Sequence, residues 1–173
     1  MRDDRSISNS NSSDLQCKEI AMDFWSIIGE SELSDGDSAD LALEGIRRRL
    51  YDLSPIELVQ FSDRVAEYCY RLDRRDFATI PFTLANGITI EQSEDAFVGF
   101  RCAVILSGWR KYRDVLEGRL DFASFVKPGL SGDALTFVAA EVYEEKTGKP
   151  FTHRSEFPYE TGSNEAGWGD AHQ

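Results

Sequence analysis

Histidine and cysteine, the side chains that most often carry nucleophilic or metal-binding chemistry, are scarce in this chain. The 173 residues include two histidines, His153 and His172, and three cysteines, Cys17, Cys69 and Cys102. A zinc site of nitrogen and sulfur ligands needs several of these residues close together. Each cysteine also falls on an apolar face of an expected helix, which is typical of buried thiols. We therefore expect no metal site.

Motifs of known enzyme sites are also missing from the sequence. The chain contains no G-x-S-x-G element, no glycine-rich phosphate loop, no dinucleotide-binding fingerprint and no H-E-x-x-H helix. The paired carboxylates Glu94-Asp95 and Glu144-Glu145 are more typical of solvated helix ends and faces than of a general acid and base in a pocket. The sequence therefore predicts a protein without a catalytic centre and without a cofactor.

The segment from Asp35 to Asp40 superficially resembles a calcium-binding loop. A helix–loop–helix calcium site requires a polar fifth ligand, a glycine after it and a glutamate at its twelfth position. Here those positions hold Ala39, Asp40 and Ile46. The match fails at all three, and we expect no calcium site in this segment.

Acidic residues are concentrated in one early part of the chain. Residues 14–44 contain nine acids and one base, whereas residues 45–120 contain eleven acids and twelve bases. We expect an exposed acidic loop between the first two helices, and such surfaces accelerate association with basic proteins. The candidate partner-binding residues of this loop are Glu30, Glu32, Asp35, Asp37 and Asp40.

The net charge of −12 restricts the possible partners. Nucleic acids and anionic membranes attract basic surfaces, so we expect the chain to bind neither directly. No apolar run approaches the ~18 residues of a membrane span, and the amino terminus has no apolar signal region. An odd number of cysteines fits reduced thiols better than a disulfide framework. These features together predict a cytoplasmic protein.

The elements that must position these residues are expected to be helices. Apolar residues recur at helical spacing along most of the chain, and hydrophobic residues make up 41% of it. The sequence predicts an all-α fold, a compact single-domain bundle of about six helices. Residues 1–14 are expected to be a disordered leader, residues 15–149 the helical domain, and residues 150–173 a mostly irregular tail that packs partly on the domain.

Local signals set the expected boundaries of the helices. Ser54-Pro55-Ile56-Glu57 forms a capping box with proline at the first helical position. Gly148 followed by Pro150 ends the last helix, and Pro81 predicts a kink or a restart in the fourth. Ile88-Thr89-Ile90 is too short to predict a strand. The expected helices cover, in order, residues 15–29, 43–53, 55–72, 77–85, 94–117 and 133–147.

The helix expected over residues 94–117 is predicted to be the centre of the bundle. Ser93 is its capping residue, and apolar side chains occupy two of its faces. A helix that is apolar on both sides is usually buried among its neighbours.

Short motifs along the chain resemble one known family. The motifs include Phe24-Trp25 near the start and Leu53-Ser54 with Glu57. Over about residues 22–148 they resemble a family of small bacterial proteins catalogued as a domain of unknown function, DUF4240. Cys102 and its neighbours stand where relatives usually place a tryptophan. The resemblance implies an all-helical fold and no assigned activity, with these structural pattern residues: Phe24, Trp25, Phe100, Arg101, Gly108 and Tyr112.

Arg101 is the polar member of this pattern and has two interpretations. On a central helix it could be a buried arginine paired with a carboxylate, because a charge between helices needs a partner. It could also contact a ligand in a pocket near Trp109 and Tyr112. The first interpretation is favoured. The basic clusters 47–49 and 110–113 are expected to be solvated helix faces paired with nearby acids.

Three functions are consistent with these features. The favoured hypothesis is a non-catalytic protein-interaction domain, an immunity or inhibitor protein that neutralises a basic partner, such as a cognate toxin, through its acidic surface. A narrower alternative is an acidic nucleic-acid mimic whose carboxylates imitate phosphate spacing. A third is a helical enzyme or ligand-binding domain with a pocket near Arg101.

Overall fold

The computed structural model describes residues 22–84 and 86–169, which fold into a mostly helical domain. The all-α prediction is confirmed, although three of the eight α-helices in the described ranges have only four or five residues. The expected leader, residues 1–14, lies outside these ranges, as does Cys17. The helices are α1 (Phe24–Ile28), α2 (Gly36–Leu50), α3 (Pro55–Arg71), α4 (Arg75–Ala78), α5 (Glu94–Leu106), α6 (Trp109–Leu116), α7 (Val138–Thr147) and α8 (Glu165–Trp168).

Side-chain caps mark the first residues of α1 and α2, and α2 begins earlier than the sequence predicts. α1 begins at Phe24, where the Asp23 side chain accepts a hydrogen bond from the Ser26 amide, and the predicted helix start near Leu15 or Cys17 lies outside the described residues. α2 begins at Gly36, seven residues before the expected apolar stripe. Asp35 and Ser38 form a capping box there, with the side chain of each accepting from the backbone amide of the other.

α3 confirms the capping box predicted at its start. The Glu57 amide donates to the Ser54 hydroxyl, and the Ser54 amide donates to the Glu57 carboxylate at 2.7 Å. Pro55 occupies the first helical position, where an amide would have no partner within the helix. The helix then buries Leu58, Phe61 and other apolar residues on one side.

α5 is the central helix, but the helix expected over residues 94–117 is broken. All its residues from Gly99 to Leu106 are buried, and it contacts α2, α3 and α6. The chain leaves the helix at Ser107 and starts α6 after Gly108, whose φ of 94° is rarely adopted by other residues. A side chain at Gly108 would also meet the Gly29 carbonyl oxygen at 2.6 Å. The positive φ and the close approach of Gly29 both favour glycine at the break between α5 and α6.

The helix expected over residues 77–85 is also wrong. α4 ends at Ala78, and after Pro81 the chain forms a two-stranded antiparallel sheet of β1 (Phe82–Thr83) and β2 (Thr89–Ile90). Phe82 pairs with Ile90, and the Thr83 and Thr89 hydroxyls lie 3.0 Å apart. Proline cannot continue the helical hydrogen bonding, which explains the change.

The last predicted helix starts later than the expected residue 133 and ends where the sequence predicts. Asp133–Thr136 is a 3-10 turn, and a second such turn covers Phe122–Phe125. α7 starts at Val138 and stops at Gly148, which takes the left-handed conformation of a helix C-cap. The described part of the tail, residues 148–169, is mostly irregular and contains α8.

The side chains of the helices share one hydrophobic core. Ile46 and Leu50 of α2, Phe61 of α3 and Val142 of α7 are all buried in this core. None of the helices within residues 22–84 and 86–169 is both long and apolar enough to cross a membrane.

Candidate functional site

The predicted acidic loop divides into two halves that do different things. Glu30, Glu32 and Asp35 lie between α1 and α2 or at the cap of α2, whereas Asp37 and Asp40 lie on α2 itself. The prediction of a single loop over residues 30–40 is therefore wrong, because the Asp35 cap starts the helix inside it. All five side chains are exposed.

In the first half of the segment, Glu30 and Glu32 contact residues at the start of α6. Glu30 packs against Gly108, where an added Cβ would lie 2.6 Å from the Glu30 carboxyl carbon. Glu32 forms an ion pair with Lys111 at 2.6 Å, and the Lys111 ammonium also donates to the Ser31 carbonyl. Both contacts join the α1–α2 connection to α6. These acids therefore have structural partners close by.

The Asp35 side chain caps the N-terminus of α2. Its carboxylate accepts a hydrogen bond from the Ser38 amide at 2.9 Å. The backbone hydrogen bond from Ser38, followed by side-chain bonds from Ser38 and Ser34, holds the pKa of Asp35 below its usual value. Its negative charge also complements the positive end of the helix dipole. Asp35 is therefore a structural acid too.

The second half of the segment forms an exposed row on α2. Asp37, Asp40 and Glu44 recur at spacings of three and four residues, so they share one side of the helix with Leu41. Leu41 is 71% exposed. Within the described chain Asp37 and Asp40 form no ion pair, whereas Glu44 pairs with Arg48. We call Asp37, Asp40, Leu41 and Glu44 the acidic face.

Two arginines fix α2 on the domain and so hold the acidic face in place. Arg49 donates from Nε to the Ile27 carbonyl at 2.6 Å and from Nη2 to the Ile28 carbonyl at 3.2 Å. Arg47 pairs with Glu141 of α7 at 2.5 Å and also with Glu145. The Glu141 hydrogen bond raises the pKa of Arg47. The acidic face is therefore carried by a helix attached on both sides.

Four of the six family-pattern residues meet between α1 and α6. The Trp25 ring lies 5.0 Å from Phe24 and 5.1 Å from Tyr112, and Gly108 starts α6 beside them. Tyr112 donates its hydroxyl to the Tyr68 carbonyl at 3.3 Å. Burial raises the pKa of Tyr112. This arrangement is an aromatic core contact with no room for a ligand between the rings.

The remaining two pattern residues lie on α5. Phe100 contacts Phe82 of the small sheet with ring centroids 5.7 Å apart. Arg101 is fully buried, with its guanidinium 4.5 Å from the Phe97 ring. It donates to the Cys69 carbonyl at 3.2 Å and to the Tyr159 carbonyl at 2.7 Å. These main-chain acceptors take one hydrogen bond from each terminal nitrogen of Arg101, whereas its buried Nε has no hydrogen-bond partner among the described residues.

Asp73 is the carboxylate beside Arg101, and sequence reasoning missed it. It is fully buried, with Oδ1 4.0 Å from the Arg101 guanidinium. Its oxygens accept from the Gly162 amide, the Asn164 amide and, at 2.8 Å, the Trp168 indole. All three donors lie in the tail. Asp73 and Arg101 therefore hold the tail against α3 and α5, and we call this arrangement the tail clasp.

Two of the three cysteines contact each other in the core. The Cys69 and Cys102 sulfurs lie 3.5 Å apart between α3 and α5, and both side chains are fully buried. The contact with Cys69, together with burial, holds the pKa of Cys102 above its usual range. A buried thiol of high pKa is a poor nucleophile. The described part of the chain holds no group of three metal-ligating side chains.

A groove lies between α3 and the tail. His153 spans one end of it with a 2.7 Å contact to Asp63, a pair that the sequence did not predict because the residues are 90 positions apart. The groove has a volume of about 600 Å³. We call it the tail groove, and its lining consists of Met22, Gln60, Asp63, Arg64, Glu67, His153, Arg154, Ser155, Glu156 and Phe157.

Comparisons with known proteins yield one match. A family model described as "Protein of unknown function (DUF4240)" matches residues 21–145. No curated protein and no solved structure matches the chain. The matched range includes Asp73, Arg101 and the acidic face and stops before the tail that covers Arg101.

Proposed function

Since the chain belongs to the DUF4240 family of proteins of unknown function, we propose a function from its own surface: it is a non-catalytic interaction domain that binds a basic protein partner through the acidic face. The observation that carries this proposal is the pair Asp37 and Asp40. Both are exposed, and neither has an ion-pair partner among the described residues, although the chain supplies partners for neighbouring acids.

Leu41 gives the acidic face an apolar centre. It is 71% exposed and shares its side of α2 with the carboxylates. An exposed apolar side chain with charges around it supplies burial energy, while the charges set specificity and association rate. The attachment of α2 through Arg47 and Arg49 means that the face needs little reordering on binding, and this lowers the cost of association.

The kind of basic partner that we propose is a toxin, with this chain as its inhibitor or immunity protein. A nuclease, for example, must present a basic surface to hold nucleic acid. An acidic face that covers such a surface would block it without any catalytic group of its own. The proposed role therefore requires only binding.

A nucleic-acid mimic is a narrower form of the same proposal. It rests on the linear row formed by Asp37, Asp40 and Glu44, although the rises of about 4.5 and 6 Å between them along the helix axis exceed the phosphate rise of DNA. Duplex DNA carries one phosphate per ~3.4 Å along each strand. If the chain is a mimic, duplex DNA must compete with it for the captured partner; a partner that binds both at once contradicts the mimic form only.

The test compares three forms of the full chain as bait in a lysate of the native host. They are the natural chain, the variant Asp37→Asn/Asp40→Asn, and the control Glu91→Gln/Glu160→Gln, which removes the same charge at exposed sites elsewhere. We expect the natural chain and the control to retain one basic protein at low salt and to release it at high salt, as screened charge pairs require. The first variant should retain much less.

The purified partner then allows the association rate to be measured. We expect Asp37→Asn/Asp40→Asn to slow association by about tenfold at low salt and by less at high salt, because long-range attraction acts on the encounter. A partner that binds the variant and the natural chain equally would contradict the proposal, as would the absence of a stoichiometric, salt-sensitive partner.

A further inference from the structure

The core holds a pair of cysteine thiols that the proposed function does not use. The Cys69 sulfur on α3 lies 3.5 Å from the Cys102 sulfur on α5, although the two residues are 33 positions apart. A disulfide bond is about 2.05 Å long, so the two sulfurs would have to approach by about a further 1.5 Å to form one. We call Cys69 and Cys102 the thiol pair.

The tail lies close to the thiol pair and is held there by Arg101. This side chain donates one hydrogen bond to the Cys69 carbonyl and another to the Tyr159 carbonyl of the tail, at 3.2 and 2.7 Å. Tyr159 packs against the core that contains both cysteines. Burial, followed by the negative charge that Cys69 and Cys102 carry as thiolates, raises the pKa of Tyr159. The tail around Tyr159 is therefore a neighbour of both thiols.

The closed fold keeps reagents away from the thiol pair. Both cysteine side chains are fully buried. Oxidation by a small disulfide begins with a mixed disulfide, in which half of the reagent is bonded to one cysteine sulfur. A close-packed core has no space for such a group on a fully buried side chain. The reaction therefore requires a local opening of the fold.

The tail is the neighbouring element with the fewest regular contacts. It is mostly irregular, and the tail clasp holds it through hydrogen bonds from the Gly162 amide, the Asn164 amide and the Trp168 indole to Asp73. The other neighbours of the thiol pair are α3 and α5 themselves, which are long helices packed against each other. Segments with few packed contacts open more readily than core helices.

We propose that the thiol pair is a redox-sensitive cross-linking site, which small-molecule disulfides oxidise when the tail opens. The thiolate of one cysteine attacks the reagent, forms a mixed disulfide and releases one small thiol. The other cysteine attacks this mixed disulfide, forms the Cys69–Cys102 bond and releases the second small thiol. The thiol pair gives up two electrons, which reduce the disulfide bond of the reagent, and its two protons pass to the released thiols.

The cross-link would join α3 to α5 within one chain. It closes a loop of 33 positions, and this restricts the unfolded chain. The oxidised domain should therefore resist unfolding more than the reduced domain does. The thiol pair contains no residue of α2, so oxidation can be present or absent whatever the outcome of the partner-capture experiment. The two proposals fail separately.

The test is intact-mass spectrometry of the folded full chain after incubation with glutathione disulfide, with Cys17→Ser to remove the third thiol. We expect the chain to lose two hydrogen atoms, to remain monomeric on a non-reducing gel, and to unfold at a higher urea concentration than the reduced chain. Cys69→Ala and Cys102→Ala should instead each gain one glutathione, because the second thiol is missing. Two unreacted thiols, a lasting adduct on the chain with both cysteines, or disulfide-linked dimers would each overturn the proposal.

The rate of oxidation tests the role of the tail. Trp168→Ala removes one hydrogen bond to the Asp73 carboxylate and a ring packed on the core. We expect it to accelerate oxidation at least about tenfold, because the loss of a hydrogen bond to a charged group shifts the opening equilibrium by that much. Gly108→Ala, which strains the start of α6 away from the tail, is the control and should accelerate oxidation much less. Equal acceleration by the two variants would mean that the thiols react through global unfolding, which contradicts oxidation through tail opening.

Discussion

The tail clasp and the acidic face show opposite uses of aspartate in one domain. Asp73 is fully buried and accepts hydrogen bonds from three tail donors beside Arg101. Asp37 and Asp40 are exposed and have no ion-pair partner in the described residues. The difference teaches that the number of acids in a segment does not identify a binding surface. The proposed surface is chosen by which acids have no ion-pair partner among the described residues, and the following predictions test that division.

The largest effect is expected from Asp73→Ala. This change leaves Arg101 buried without its nearby carboxylate and three tail donors without their acceptor, so we expect a loss of roughly 3–5 kcal/mol in the free energy of unfolding. Urea unfolding would measure it. Asp76→Ala is the control, because Asp76 pairs with Arg74 at an exposed site and such pairs contribute about 1 kcal/mol or less. Similar losses for the two variants would contradict the division.

Gly108→Ala tests whether Glu30 belongs to the structural acids. The new Cβ would meet the Glu30 carboxyl and the Gly29 carbonyl oxygen in a backbone conformation that only glycine adopts easily. We expect a loss of about 2–3 kcal/mol in the free energy of unfolding. Gly118→Ala is the control, since Gly118 also has positive φ and its Cβ meets nothing within 4 Å. If both variants lose the same free energy, the Glu30 contact contributes nothing.

Asp35→Ala tests the remaining structural acid through pH. The pKa of Asp35 is lowered in the folded chain, so its contribution to stability is complete above its unfolded value of 3.8 and is lost as pH falls through the lower folded value. We expect the variant to be less stable than the natural chain at pH 7, with the gap narrowing below about pH 3.8. Urea midpoints measured across this range provide the check. A gap that does not change with pH would mean that the ionised carboxylate is not the cap.

The smallest effect is expected from Asp37→Asn/Asp40→Asn. These side chains have no structural partner among the described residues, and only the first turn of α2 gains from the charge of Asp37. We expect the free energy of unfolding to change by less than about 1 kcal/mol. Thermal and urea unfolding of the variant would measure this. A larger loss would move these acids into the structural group and remove the basis of the proposed interaction.

The sequence predicted those features that depend on neighbouring residues. The caps at Ser54 and Ser93 and the stop at Gly148 are confirmed, because each is formed by groups within a few positions of each other. The Asp35 cap had the same kind of local signal, an acid three residues before Ser38, but the sequence reading assigned that acid to a loop.

The features that the sequence did not predict depend on residues far apart in the chain. The break at Gly108 lies against Gly29 and Glu30, some eighty positions earlier, which leave no space for a side chain there. Asp73 follows α3 like any exposed acid, and its partners in the tail lie about ninety positions later. No local pattern marks such residues, so the separation of structural from free acids required the folded chain.

The tail clasp also has a consequence for the order of folding events. It joins Asp73 to Trp168 across 95 positions, so closing this loop costs entropy before any of its hydrogen bonds form. Contacts of such long sequence separation are expected after the helices have associated. Asp73→Ala should therefore accelerate unfolding and leave the refolding rate nearly unchanged, which stopped-flow kinetics would resolve. We therefore expect the contacts of the tail to form late in folding and to lengthen the lifetime of the folded state.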